Sequence, residues 1–352
     1  MKVIRLYLPL LVILLLATLR VYSSCFKSVQ NVCLEPRESY FSDTKRFPGK
    51  QLSDFRKASI NTVRKNFPSP HSELLIGMVI GADELGSSPR FKEALKTTGT
   101  IHVVVVSGFN VSLVANLVMG VLGSKYKTRN VIISQLFTFV YSVMTGFEPP
   151  VIRAWIMGGV VSWVKYYGRS VDGFRILAFT ALVMVLIWPY FLFSVSFQLS
   201  FLATLGLVVF GNIVVDFFKR KFPKGNFFIE DLGTTISAQI FVLPIVSYYF
   251  GRISIISFLV NPLILWTVPI ATVMGTFYIF IAMISQPLAQ ILRILIYPFL
   301  NIFVYTVNLF SKIKVASVGV DLGLAYVIAY YLIVALILII ITKRKMKIYE
   351  KN

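Results

Sequence analysis

Residues 101–118 read IHVVVVSGFNVSLVANLV, a run apolar enough to enter a bilayer that still carries His102, the Ser107-Gly108 pair, Asn110, Ser112 and Asn116. A helix that crosses a membrane needs roughly 20 mostly apolar residues. Polar groups inside one are costly and face protein or water instead of lipid. The serine-glycine pair also falls where helical backbone is weakest. A simple anchor needs none of this, so the stretch reads as the edge of a path through a membrane.

The whole chain shares the apolar bias. Its 352 residues are 57% hydrophobic and 14% charged, with mean hydropathy +0.77, whereas soluble domains have about 25% charged residues. The expected fold class is an all-α polytopic membrane protein with about ten transmembrane helices and a small extracytoplasmic N-terminal segment. The net charge of +20, from 35 Lys+Arg against 15 Asp+Glu, could attract an anionic partner. Basic cytoplasmic loops account for much of it as well. Two cysteines and two histidines, with no CxxC or HExxH spacing, make a protein-built metal site unexpected. No GxxxxGK[ST] phosphate loop is present. No cofactor and no intrinsic enzyme are expected.

Outward from the quoted stretch, residues 1–20 place Lys2 and Arg5 ahead of an apolar run and read as an uncleaved signal anchor with a cytoplasmic start. Residues 21–50 form a short extracytoplasmic segment, where Cys25 and Cys33 would meet an oxidising side and could form a disulfide or stay as two thiols. Residues 51–100 hold QLSDFRKASINTVRKNF, an amphipathic pattern that suits a helix on the membrane surface or against the protein. LLIGMVIG at 74–81 is too short to span, and Gly77 and Gly81 suit close packing. A polytopic domain follows over 101–342, then a basic cytoplasmic tail over 343–352.

Nine hydrophobic segments are read at 101–123, 130–147, 150–167, 174–191, 194–215, 232–250, 253–284, 288–310 and 323–342. Loop charge alternates along them, with Lys125, Lys127 and Arg129, then Lys165 and Arg169, then Lys219 to Lys221, on the cytoplasmic side. Both termini are therefore expected in the cytoplasm. The segment 253–284 is counted as one crossing, with Asn261-Pro262 leaving open a re-entrant piece plus a helix.

At a 1.5 Å rise per residue, Ser107 to Asn110 would lie roughly 9–14 Å below the outer surface, near the midplane. Arg153 would sit about one turn in after Pro149-Pro150, Gln198 and Ser200 roughly 6–9 Å down, and Asn261-Pro262 about 12 Å down. These groups would describe a polar vestibule open to the outside. Arg153 has three readings: snorkelling, pairing with Glu148 and binding an anion. Ser196, Ser200 and Thr204 suit helix packing, Asn261-Pro262 a kink, and His102 a hydrogen-bonded anchor. His102 and Ser107 would point about 140° apart on a helix, which argues against a hydrolytic pair.

IHVVVVSGFNV resembles the HLLAISGLHV signature of the ComEC-type competence proteins, inner-membrane channels for DNA uptake in natural transformation. LLIGMVIG with Phe91 and Gly99, PPVIRAWIM, FSVSFQLSFLATLG and the broken Asn261-Pro262 segment are similar to further family motifs, in order, over about residues 50–320. Asn110 stands where the family commonly has a second histidine. The resemblance implies a channel core with a shortened N-terminal soluble domain and without the family's C-terminal metallo-β-lactamase-like domain, whose His/Asp-rich metal motif is not found in the sequence. The resemblance implies a channel core for single-stranded DNA in the cytoplasmic membrane, whose path would involve His102, Ser107, Gly108, Asn110, Arg153, Gln198, Ser200, Asn261 and Pro262. It implies a separate nuclease, a DNA receptor and a cytoplasmic helicase or DNA-binding proteins as partners. Whether one chain or a homodimer encloses the path is left open. The alternatives are a transporter for another anion or envelope polymer precursor, and a non-transporting scaffold for the uptake machinery.

Overall fold

The computed structural model describes residues 50–104, 107–123, 127–221, 226–313, 315–320 and 322–349. The expected leader and the Cys25–Cys33 pair lie outside the described residues. Within them the protein is all-α, with fourteen α-helices and two three-residue strands. The helices are α1 (Lys50–Asn66), α2 (His71–Ile80), α3 (Pro89–Thr98), α4 (Ile101–Val104), α5 (Gly108–Val121), α6 (Thr128–Met144) and α7 (Pro149–Tyr166). They continue with α8 (Gly173–Ile187), α9 (Val195–Lys221), α10 (Asn226–Phe250), α11 (Ser257–Ile264), α12 (Thr267–Ile284), α13 (Gln286–Ser311) and α14 (Leu324–Tyr349). Helices within 195–221, 230–250, 267–284 and 286–311 are long and apolar enough to cross a membrane, and several shorter ones are equally apolar. This is a polytopic membrane architecture.

Three buried clusters hold the described residues, the smallest joining Val111 to Val151. The largest joins α1–α3 to α11–α13, around Val63, Leu74, Leu75, Ile264, Tyr278 and Phe303. A smaller one joins α7, α8 and α9 through Ile152, Met184, Val185 and Phe197. The apolar side of α1 is spent on the first core, where Val63 and Phe67 are buried and Phe55 and Ile60 pack against it. Of the two settings open to this helix, packing against the protein is the one observed. Every residue of α2 is buried. A side chain at Gly77 would overlap the Val104 carbonyl, so only glycine lets α2 touch the backbone of α4. Gly81 serves differently, ending α2 at φ 73°.

The quoted stretch is not one helix. It divides into α4 and α5, with Ser107 extended at φ −101° and ψ 159°. Four consecutive valines from Val103 precede that break, and β-branched residues weaken helix. Further along, Pro149 and Pro150 open α7 where a missing N–H costs nothing. Asp172 caps α8 by accepting from the N–H groups of Phe174 and Arg175. α9 and α10 form a close hairpin in which a side chain at Gly206 would overlap the Ser237 carbonyl.

The segment 253–284 holds strand β1 (Arg252–Ser254), α11 and α12, in place of one continuous helix. Leu265 and Trp266 between the helices both keep right-handed helical angles, so the chain bends without turning back. Pro269 has no N–H to offer the Leu265 carbonyl, which takes Val268 N at 3.2 Å instead. The Trp266 indole and the Thr267 hydroxyl donate to the carbonyls of Leu263 and Ile264 at 2.8 and 2.7 Å. The carbonyls of Leu263, Ile264 and Leu265 thus all keep a donor through the bend. β1 pairs antiparallel with β2 (Ser317–Gly319), Ile253 facing Val318. α14 leans on α10, the Tyr330 and Tyr331 hydroxyls donating to the Ile240 and Phe241 carbonyls.

Candidate functional site

The sequence-predicted residues gather most tightly where α5 begins. A side chain added at Gly108 would lie 2.7 Å from Nη2 of Arg153, 3.0 Å from Cβ of Ala154 and 3.1 Å from the Pro150 carbonyl oxygen. The bare Cα thus lets α5 press on the first turn of α7, with the Arg153 guanidinium against it. Nε of Arg153 is buried without a hydrogen bond, and no acid pairs with this arginine among the described residues. Glu148, the nearest acid in sequence, feels the charge of Arg56 instead. Arg56 also donates to the Met144 and Gly81 carbonyls, both at 3.4 Å. Burial holds the Glu148 carboxyl above the usual carboxylate range, with Arg56 opposing the shift.

Asn110 lies one turn into α5. Its Nδ2 donates to the Met78 carbonyl at 2.9 Å, fastening α5 to α2. Its Oδ1 is buried and faces the buried hydroxyl of Tyr141 on α6. The Ser107 hydroxyl makes no cap bond. Helix N-termini carry unsatisfied N–H groups and a partial positive charge. At this junction a helix start and an arginine without an acid partner converge, a setting that favours an anion.

The expected depth order does not hold. Gly108 lies level with the first turn of α7, not below Arg153, because the extended Ser107 ends the uniform rise on which the count depended. Gln198 is occupied elsewhere, its amide donating to the Leu192 carbonyl at 3.1 Å and closing the turn before α9. Ser200 and Thr204 share a helical side with Phe197, which is buried with Ile152 and Met184, so this ridge packs helices together. The Ser200 hydroxyl is buried there without a bond. His102 is exposed, Nδ1 donating to the Gly99 carbonyl at 3.0 Å, as an anchor does. Asn261 and Pro262 are buried in α11, which packs on α10 and α13. Asn261 follows the start of α11 by four residues, about 6 Å along its axis.

Sequence reading missed Tyr141, the Met78 carbonyl and Arg56 as members of the junction. Only Arg56 left a trace, as a charge in an amphipathic pattern. It also passed over His71 and Glu73, both buried in α2. Glu73 accepts from the Ser72 and Ser88 hydroxyls at 2.8 and 3.2 Å.

The sequence profile of the family described as Competence protein matches residues 78–345. The chain belongs to the competence protein family. The match opens at Met78, whose carbonyl holds Asn110, and takes in the whole α5–α7 junction. ComE operon protein 3 of Bacillus subtilis (strain 168) is 31% identical over 242 residues, 67% of this chain and 28% of the relative. An uncharacterized protein of Aquifex aeolicus (strain VF5) is 28% identical over 174 residues, covering 49% of this chain and 41% of its own length. The uncharacterized protein YcaI of Escherichia coli (strain K12) is 23% identical over 244 residues, 64% of this chain and 30% of its own. The chain thus spans less than half the length of each of these relatives. No solved structure matches it.

Proposed function

We propose that this competence-family chain passes single-stranded DNA inward across the cytoplasmic membrane, with Arg153 and the start of α5 at the outer mouth of the path. The observation that carries the reading is the Arg153 guanidinium, seated on Gly108 with no acid partner among the described residues. A phosphate moving past would meet that cation and the N–H groups of the α5 start together. The alternation of basic loops supports both termini in the cytoplasm. The β1–β2 ladder and the Arg252–Glu93 pair agree with it, because they join three stretches that this alternation puts outside. The chain holds no phosphate loop, so the reading assigns movement to a cytoplasmic helicase or DNA-binding protein. A separate nuclease and a DNA receptor would supply the single strand.

The test compares Arg153→Ala and Arg153→Lys in a competent strain at matched protein levels, separating surface-bound from cytoplasmic labelled DNA. Loss of one charge-assisted contact should lower cytoplasmic DNA by about tenfold or more. Surface binding should stay constant, and lysine should restore part of the uptake. Unchanged cytoplasmic DNA in the alanine variant would sink the reading. Lost uptake of a small anion with DNA uptake intact would favour the anion-transporter alternative.

A further inference from the structure

The α12–α13 hairpin has the length and composition to cross a membrane twice, yet its surroundings argue against a crossing. Near its start, α13 grips the end of α1: Gln290 Nε2 donates to Asn66 Oδ1 and Arg293 Nη1 to the Asn66 carbonyl, both at 3.0 Å. Midway, Tyr297 stacks on His71 with ring centroids 4.8 Å apart, and Asn301 bonds the same imidazole at 3.3 Å. Beyond its end, β2 pairs with β1, whose Arg252 pairs with Glu93 of α3. The α1–α3 unit therefore bonds α13 directly from Gln290 to Asn301, about 17 Å, and is tied through β1 and β2 to the chain beyond Ser311, in all about 32 Å against the ~30 Å of a hydrocarbon core. α12 behaves alike, setting Gly275 against Leu75 and Val79, and Tyr278 against Phe67.

The α1–α3 unit cannot accompany a crossing helix through lipid. Residues 50–99 contain 13 Asp, Glu, Lys and Arg, and Asp54, Lys57, Arg64 and Lys65 are exposed. Were α13 upright, Asn66 and Glu93 would stand at opposite membrane faces with those charges in hydrocarbon between them. On its other side the hairpin exposes Phe277, Ile284, Leu288, Ile291 and Ile294, with Ile284 at 86% and Ile294 at 67%. Gln286, Gln290, Arg293, Tyr297 and Asn301 recur at three- and four-residue spacing on a different face of α13. One polar face against a charged unit and one apolar face left open is how a helix lies in the lipid interface.

We propose that the α12–α13 hairpin crosses nothing and lies flat on the membrane face that carries the β1–β2 ladder. Its apolar side enters the boundary between lipid headgroups and acyl chains, and its polar side carries α1–α3. Removing two crossings leaves the parity of the chain unchanged, so the ends stay where loop charge puts them and ten expected crossings become eight. The hairpin then holds Arg56 and its unit beside the α5–α7 junction. The proposal does not depend on DNA being the substrate.

The full-length chain, with Cys25 and Cys33 replaced by serine, would be reconstituted into lipid vesicles. It would carry one nitroxide at a time at Leu288, Ile291, Leu295, Ile302 or Leu309, all exposed. Immersion depth is then read from oxygen and nickel-chelate accessibility. A flat helix gives one shallow depth, about 5–10 Å, at all five positions. A profile that passes through the bilayer midplane between Leu288 and Leu309 overturns the proposal, and labels standing in water at all five overturn the lipid partner.

Discussion

At the scale of single residues, the α5–α7 junction separates two arginines by what neutralises them. Arg56 has Glu148 and Glu84 within electrostatic reach, while Arg153 has no acid partner among the described residues. Glu148 therefore does not quench the arginine five positions after it, although adjacency in sequence invited that pairing. Its own titration is a test of the arrangement. Burial raises the Glu148 carboxyl above the usual range. A folded-state value above the unfolded one, about 4.3 for Glu, means stability present in acid and lost as pH rises through the raised value. Purified protein should accordingly lose thermal stability on that rise, and Glu148→Gln should flatten this part of the profile. An identical slope in the variant would show that Glu148 is solvated, and the burial argument would fall. Asn110 follows the same logic without a charge. Its amide N–H donates to Met78 with no proton to gain or lose, so fastening α5 to α2 here is independent of pH.

At the scale of elements, periodicity and length located nearly every helix between α5 and α14 within a few residues. Apolar runs bounded by Pro, Gly and basic loops admit few other readings in a membrane. Two boundaries failed for one reason, that a break inside an apolar run leaves no change in composition. Residues 101–123 contain an extended Ser107, and 253–284 contain a bend where Pro269 and the Trp266 and Thr267 side chains rearrange four carbonyl and N–H groups. Uniform rise then misplaced Gly108 relative to Arg153. Gly77 was read correctly as a close contact, whereas Gly206 was read only as the end of the FSVSFQLSFLATLG motif, because glycine in an apolar helix has many causes. Its contact is nevertheless severe. Replacing Gly206 with valine forces β-branched bulk onto the Ser237 carbonyl and should destabilise the α9–α10 hairpin by about 1–3 kcal/mol. Gly211, with nothing within 4 Å of an added Cβ, is the matched control. Thermal unfolding in detergent should drop for Gly206→Val and hardly move for Gly211→Val; equal effects would place the glycine's importance in helix propensity and not in packing.

At the scale of the whole molecule, long-range side-chain bonds were illegible in the sequence because they join residues about 60 to 230 positions apart. Arg252 reaches Glu93, Gln290 reaches Asn66 and Asn301 reaches His71, and no periodic pattern encodes which polar residue meets which. These bonds decide how the charged N-terminal unit is seated on the membrane domain. They also convert a charge rule into a geometric statement. Beyond the single turn of α4, six helices, α5 to α10, separate Gly99 from Arg252, and an even number of crossings returns a chain to the side it left. The Arg252–Glu93 pair is what such a count requires, so an odd number of crossings in this region is incompatible with the fold. Which side that is can be read by chemistry. With Cys25 and Cys33 replaced by serine, Glu93→Cys with Arg252→Cys should be joined by a short membrane-impermeant bismaleimide added to intact cells. Joining shows as one cross-linked peptide pair after proteolysis. Linkage only after the cells are opened would put the shared face in the cytoplasm, reverse the proposed orientation and leave Arg153 at the wrong end to receive DNA from outside. Two single labels that never join, from either side, would contradict the seating of α3 on β1 itself.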